Sequence, residues 1–382
     1  MPKKRLLTPG PTQVPEAALL SMARQVTHHR TPEFTALFAE VFEGLQEVFQ
    51  TTGDVLILAG SGTAAMEAAM VNTVPRGGTA LVLNAGVFAQ RWAHIAKAFG
   101  IEVIEHAVPW GTAVDPADVE RLLRAHPLIQ VVFGTLMESS TGVAHDVQAI
   151  GQIVNQTPAL FVVDAISGAG VQECRMDAWH IDLLVVGGQK ALMLPPGLGI
   201  VAVSDKAWTA MDRVKAQAFY LDLKLHRAKL REGPTTPWTP AHTLIGALAE
   251  TLKIIRAAGM EAVWRQARRL AAATHAGAAA LGWELFAARP ADGMTALRVP
   301  QGIDADTFLK LLEARYGVKL ASGQKELKGK IVRLAHLGII DELDILGTLA
   351  AMELTLAEMG QPVRFGAAAG AAAASLFATH VE

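Results

Sequence analysis

Continuous apolar runs alternate with helix-length segments through the first two thirds of this chain, and that alternation limits its folds most. DVLILAG (54–60) precedes TAAMEAAMVNTV, and TALVLNAG (79–86) precedes FAQRWAHIAKAF. EVIEHAV, DPADVERLLRAH, IQVVFGTL, VQAIGQIVNQ, LFVVDAI and DLLVVGG continue the order. Strands that are apolar throughout, rather than at every second residue, are buried on both faces. With helices between them they predict an α/β fold with a mostly parallel sheet covered on both sides. GIVAVS (199–204), after a Pro-Pro-Gly turn, is a further strand whose direction the sequence leaves open.

Two of these runs close on a polar residue. Asp164 ends LFVVD, and Lys190 follows DLLVVGGQ. In open α/β sheets ligands bind beyond the carboxyl ends of the strands. A carboxylate for a pyridinium nitrogen and an amine for a Schiff base are what pyridoxal 5′-phosphate requires. An amine forms that bond only when unprotonated, so Lys190 needs burial or a neighbouring cation to lower its pKa. Taken singly, Lys190 could be a lysine at a strand end and Asp164 a helix cap. Gly187 and Gly188 permit close backbone approach, and Gln189 offers an amide donor to a phosphate. Ile166 is placed to pack beneath a ring.

Other segments add parts to the same mouth. In AGSGTAAMEAA (59–69) a strand ends, Ser61, Gly62 and Thr63 turn, and a helix begins. Its free N–H groups and dipole suit an anion, although Ser61 and Thr63 could simply cap the helix. Phe88 opens the helix after TALVLNAG, where its ring can stack on a cofactor or fill a core. Ser139 lies in ESSTG (138–142), either a plain polar turn or a lining of the same mouth. Arg333 sits within the apolar run KIVRLAHL and must have a partner. A substrate carboxylate suits its planar fork, and a structural salt bridge is the alternative.

Beyond about residue 245 the pattern becomes helical, reading as a connecting helix or helix pair. A strand, a helix, two strands and a helix follow, as a small α+β unit. The expected division is an N-terminal arm (1–16), a large domain (17–262), a small C-terminal domain (263–365) and an Ala-rich tail (366–382). That tail reads as a frayed helix or as disorder. Net charge is −2, so no basic field points to nucleic acid or an anionic membrane. Cys174 is the only cysteine, which excludes intrachain disulfides and multi-cysteine metal sites. His28, His29 and His336 lack metal-ligand spacing, and no metal is expected. The basic N-terminus has no apolar core segment of a signal peptide, and no run is long enough to span a membrane. A cytoplasmic setting is the expectation.

Together TPGP, HHRTPEF, SGTAAMEAAM, ESSTG, VDAISGAG, GGQKALMLPPGLG, TTPWTP and KGKIVRLAHLG resemble class V aminotransferases of the fold-type I superfamily. The ordered motifs run from about residue 8 to residue 338. The resemblance is to alanine–glyoxylate, serine–glyoxylate and serine–pyruvate aminotransferases, and to a branch labelled soluble hydrogenase small subunit. It implies Lys190 as the Schiff-base lysine and Asp164 as the partner of the pyridine nitrogen. It places Ser61, Gly62, Thr63 and Gln189 on the phosphate, and Phe88 on the ring. Ser139 falls near the cofactor hydroxyl and the substrate carboxylate, which Arg333 would bind. Pro9 and Gly10 match the arm that lines the substrate pocket. Thr236 and Thr239 match a segment that reaches the phosphate from the other subunit of a homodimer. Ala85, Ala89 and Thr236 depart from the residues that relatives commonly show.

The implied activity is transfer of an amino group from a small L-amino acid, alanine or serine, to glyoxylate or pyruvate. Rival expectations are a phosphonate-specific transaminase, a cysteine desulfurase using Cys174, and a non-catalytic subunit of a redox complex.

Overall fold

The computed structural model describes residues 2–379. Its centre is a seven-stranded sheet. The strands are β1 (Asp54–Ala59), β2 (Thr79–Asn84), β3 (Glu102–Ala107), β4 (Ile129–Thr135), β5 (Leu160–Asp164), β6 (Leu183–Gly187) and β7 (Leu198–Val203). Their spatial order is β1-β7-β6-β5-β4-β2-β3. β3, β2, β4, β5 and β6 pair in parallel. The direction left open for GIVAVS is antiparallel, because β7 runs against both β6 and β1. β1 therefore points the same way as β6, and their carboxyl ends share one edge of the sheet with that of β5.

Alternate residues of each strand feed two different cores, as a pleated strand requires. Leu81, Leu83, Val132, Phe161, Val163, Leu184 and Val186 face one layer, with Phe34, Phe38 and Leu45 of α1 (Pro32–Phe49). Ala80, Val82, Val131, Phe133, Val162, Leu183 and Val185 face the other. There they meet Met66 and Met70 of α2 (Gly62–Thr73) and Trp92 of α3 (Val87–Ala98). Burial on both faces is why the inner strands carry no polar alternation, whereas β3 at the sheet edge is partly exposed and keeps Glu102, Glu105 and His106.

The long helical stretch resolves into a pair, α4 (His242–Ala258) and α5 (Met260–Ala280). Gly259, at φ +78°, breaks it with a backbone conformation that L side chains rarely adopt. Beyond lie β8 (Met294–Arg298), α6 (Ala305–Tyr316), β9 (Ala321–Ser322) and β10 (Ile331–Ala335). The three strands form one antiparallel sheet with β10 in the middle. The expected strand GVKLASG is divided. Val318–Lys319 pairs instead with Arg5–Leu6 of the N-terminal arm, and only Ala321–Ser322 joins β10.

The Ala-rich tail corrects the sequence expectation of a frayed or disordered segment. Ala367–Ala378 form α8, which packs on α5 and on α7 (Glu342–Glu358). Ala368 and Ala372 are fully buried, since their small side chains permit close helix approach. Glu353 is itself buried and accepts from the N–H groups of Gly366 and Ala368, at 2.8 and 2.6 Å. That carboxylate caps a helix whose own sequence supplies no cap. Among the described residues no helix is long and apolar enough to cross a membrane.

Candidate active site

The carboxyl ends of β1, β5 and β6 open into a cavity of about 100 Å³. Ser61, Gly62, Thr63, Phe88, Ser139, Asp164, Ile166, Gln189 and Lys190 all line it. A larger cleft of about 370 Å³ shares Phe88, Ser139 and Lys190 with it and is bounded further by Pro9, Gly10 and Arg333. Of the site residues that the resemblance implies, only Thr236 and Thr239 lie elsewhere. They line a small separate cleft with Ile57, Tyr220, His226 and Trp238.

Ser61 precedes α2 in extended conformation and makes no side-chain cap bond. The capping alternative is thereby removed, and the hydroxyl stays free beside the first N–H groups of the helix, which have no intrahelical partner. A Cβ on Gly62 would lie 2.6 Å from Ile166 Cδ1, so glycine lets the turn meet that wall without displacing it. Across the cavity Gln189 leaves its buried Oε1 without a hydrogen-bond partner. That atom is an acceptor, so a bound phosphate would meet the Nε2 end of the same amide.

Asp164 is buried and accepts one bond, from the Ile166 N–H at 2.9 Å. Burial pushes its carboxyl up to about 7; that N–H works against the rise and the Glu138 carboxylate adds to it, while Arg91 and Lys190 also oppose it. Lys190 Nζ donates to the Pro9 carbonyl. Burial lowers its amine to about 8; Asp164 works the other way, and Arg333 and Arg91 assist the lowering. Both groups are thus held away from their usual ionisation, as proton-transfer sites require. The N-terminal arm fixes the lysine turn: Thr12 Oγ1 donates to the Lys190 carbonyl at 2.9 Å. Gly10 sits at φ +125°, and a Cβ there would clash with the lysine amine.

Arg333 lies in the middle strand of the small sheet and is only 5% exposed. Its Nε donates to the Ser322 carbonyl at 3.0 Å and its Nη1 to the Ser139 carbonyl at 2.6 Å. Among the described residues it has no carboxylate within ion-pair distance, so the structural salt bridge is not found. Burial lowers its guanidinium to about 10, against the pull of the Glu138 charge. Two carbonyls orient the fork and leave donors for a carboxylate in the cleft.

Sequence reasoning passed over two residues here. Glu138 is fully buried and accepts from the N–H groups of Ala89 and Ser140 at 2.9 and 3.0 Å. Its other partners are the Ser140 hydroxyl at 2.6 Å and the Phe88 N–H at 3.2 Å. It therefore caps α3 from outside the helix and fixes the start of the turn that carries Phe88. ESSTG is accordingly a tight buried hairpin rather than a surface turn. Arg91, the second, lines the cavity one turn after Phe88. An acidic residue before a serine pair and a basic residue three after an aromatic were the available signals.

The class-V aminotransferase family model matches residues 6–338. The chain belongs to that family. It is a transaminase, acting on amino and oxo acids. It is 39% identical over 378 residues to a Synechococcus protein described as the small subunit of a soluble hydrogenase, covering 98% of both chains. It is 33% identical over 390 residues to serine–glyoxylate aminotransferase of Methylorubrum extorquens, covering 98% of this chain and 96% of the relative. Ureidoglycine–glyoxylate aminotransferase of Bacillus subtilis superposes with a TM-score of 0.93 at 29% identity, over 98% of each chain. The mostly parallel sheet flanked by helices is the fold-type I architecture of these aminotransferases. Cys174 is buried, lines neither cavity and has its thiol pushed up to about 12 by that burial, so the desulfurase expectation finds no nucleophile at this site.

Proposed function

We propose that this aminotransferase uses pyridoxal 5′-phosphate to move an amino group from a small L-amino acid, alanine or serine, to glyoxylate or pyruvate. The observation that carries the reading is Arg333, whose fork is held by two carbonyls at the cleft shared with Lys190. The residues present fit the cofactor: an uncapped helix start at Ser61, a buried acid at Asp164 and the Lys190 amine, all on one cavity. Ser61, Gly62, Thr63 and Gln189 would hold its phosphate, Phe88 and Ile166 its ring faces, and Asp164 its ring nitrogen. When bound, this cofactor supplies an aldehyde for the amino group and a ring that withdraws electrons from the substrate Cα.

The remaining chemistry belongs to the chain. Arg333 binds the substrate carboxylate, with the Ser139 backbone at its side. Lys190, once free and neutral, takes the proton from the substrate Cα and returns it. Asp164 as an anion keeps a proton at the ring nitrogen, and the Pro9–Gly10 arm excludes water from the amine. The donor leaves as a 2-oxo acid before the acceptor enters at the same arginine, a ping-pong order. Thr236 and Thr239 act on the phosphate of the partner in a homodimer, and the enzyme works in the cytoplasm. A redox-complex subunit would have no use for an acid, an amine and an arginine converging in this way.

A panel of L-amino acids against glyoxylate, pyruvate and 2-oxoglutarate tests the substrate reading. Borohydride reduction followed by peptide mass analysis tests attachment at Lys190. Alanine or serine with glyoxylate should turn over fastest, and Lys190→Ala should lose both turnover and the trapped adduct. Normal turnover by Lys190→Ala would end this reading.

A further inference from the structure

We propose that Arg91 is a positioning residue for the anionic cofactor: it clamps the Phe88 ring to the Thr63 hydroxyl and presents a free cationic fork to the cavity. The proposal rests on the reading of the site given above.

Arg91 follows Phe88 by three residues on α3, so the two side chains share a helix face. Its guanidinium carbon lies 4.9 Å from the Phe88 ring centroid, and Nη1 donates to Thr63 Oγ1 at 3.1 Å. One side chain therefore joins the residue at the start of α2 to the aromatic residue that opens α3. A guanidinium carries five N–H donors, and this hydroxyl accepts one of them. Among the described residues no carboxylate pairs with it. A half-buried cation without a counter-ion, on the wall of a cavity that also exposes helix N–H groups, is suited to an anion.

The same charge acts on both reacting groups. It lowers the Lys190 amine and the Asp164 carboxyl together, favouring a neutral lysine and an ionised aspartate. Planarity matters as well as charge. A guanidinium stacks on a ring and forks toward an anion at once, which an ammonium does not.

The test uses the protein stripped of cofactor, as the wild type, Arg91→Gln and Arg91→Lys. Each is titrated with pyridoxal phosphate and with pyridoxal, followed by tryptophan fluorescence, and the circular dichroism of the bound cofactor is recorded. Arg91→Gln should weaken pyridoxal phosphate about tenfold or more, the step that one lost charge-assisted contact commonly produces. Pyridoxal, which lacks the phosphate, should weaken less. Arg91→Lys should recover most of the affinity but leave the dichroic band diminished, because charge returns without the clamp. Wild-type affinity and dichroism in Arg91→Gln would overturn the proposal. So would an Arg91→Lys protein as weak as Arg91→Gln. Should Arg91→Gln fail to fold, the Arg91→Lys band decides alone, and an unchanged band overturns the clamp. A wild type that binds no pyridoxal phosphate would refute the reading of the site instead.

Discussion

The cavity at the strand ends and the segment around residues 219–239 are opposite kinds of surface. Several polar groups around the cavity are buried and oriented by other groups of the same chain, from Glu138 under Phe88 to the two carbonyls on Arg333. The segment instead leaves Phe219 75% exposed and Tyr220 44% exposed, both against Trp238. Beside them the Thr235 hydroxyl is buried without a partner. One region is finished by its own chain; the other presents aromatic surface of the sort that subunit interfaces cover. In the proposed homodimer that difference would divide the site into parts that a single chain organises and parts that a second copy completes. If that division is right, substitutions in the cavity change one chain by itself. Substitutions in the segment act only through assembly and cofactor.

The largest expected effect tests the finished side. Arg333→Gln should reduce kcat/KM about a hundredfold or more, chiefly through KM for both amino and oxo acids, since it removes a buried charged partner. Steady-state kinetics with each substrate varied would show it. An unchanged KM for every amino and oxo acid would take the carboxylate role from this residue. Glu138→Gln should come next, costing about 2–3 kcal/mol of stability, because it weakens four charge-assisted bonds in a buried cap. Urea unfolding of the cofactor-free protein measures this, and wild-type stability would show that Phe88 is not held from beneath.

The contrast between the two regions also explains what the sequence revealed. The succession of strands and helices, and the burial of the strands, were legible because period and apolar continuity are local properties of Leu81–Leu83 or Val162–Val163. The polar ends Asp164 and Lys190 were legible because a charge closing an apolar run needs a reason. Glu138 and Arg91 were not, since their importance comes from partners about fifty and twenty-eight residues away. The direction of β7 depended on pairing with both β1 and β6, which no window around GIVAVS contains. The order of the tail helix was not legible, because an Ala-rich helix gains its stability from packing on α5 and α7 and from the cap that Glu353 lends it.

A third prediction concerns pH. The folded carboxyl of Asp164 is raised from 3.8 to about 7, so its contribution to stability is present below pH 3.8 and lost as pH rises through 7. Asp164→Asn removes that loss. The variant should be more stable than the wild type by about 2 kcal/mol above pH 7 in the cofactor-free protein, and nearly equal near pH 4. Lys190 limits the gain, because its ammonium loses a counter-charge. Urea midpoints at the two pH values decide, and equal differences at both would mean that burial of Asp164 carries no such cost. Saturating pyridoxal phosphate should reverse the order, since the ring nitrogen then supplies the partner that the carboxylate lacks.

The smallest effect is the sharpest test of the unfinished side. Thr236 is buried, and its hydroxyl donates to the Trp238 carbonyl at 2.6 Å within its own turn. Thr236→Val keeps the volume and removes that hydroxyl. Because the bond is local, the cofactor-free chain should lose no more than about 1 kcal/mol. If the segment meets the phosphate of a second copy, pyridoxal phosphate affinity should fall by roughly threefold to tenfold, and the loss should shrink with pyridoxal. If instead the segment serves only its own chain, both ligands should bind as in the wild type. Sedimentation of Trp238→Ala gives the matching physical reading. Removing the ring that both Phe219 and Tyr220 pack against should shift the protein toward monomer at low concentration. A Trp238→Ala protein that stays dimeric while Thr236→Val loses affinity would separate the two functions. The phosphate contact would then belong to the turn, and the hold between subunits to the other exposed surfaces.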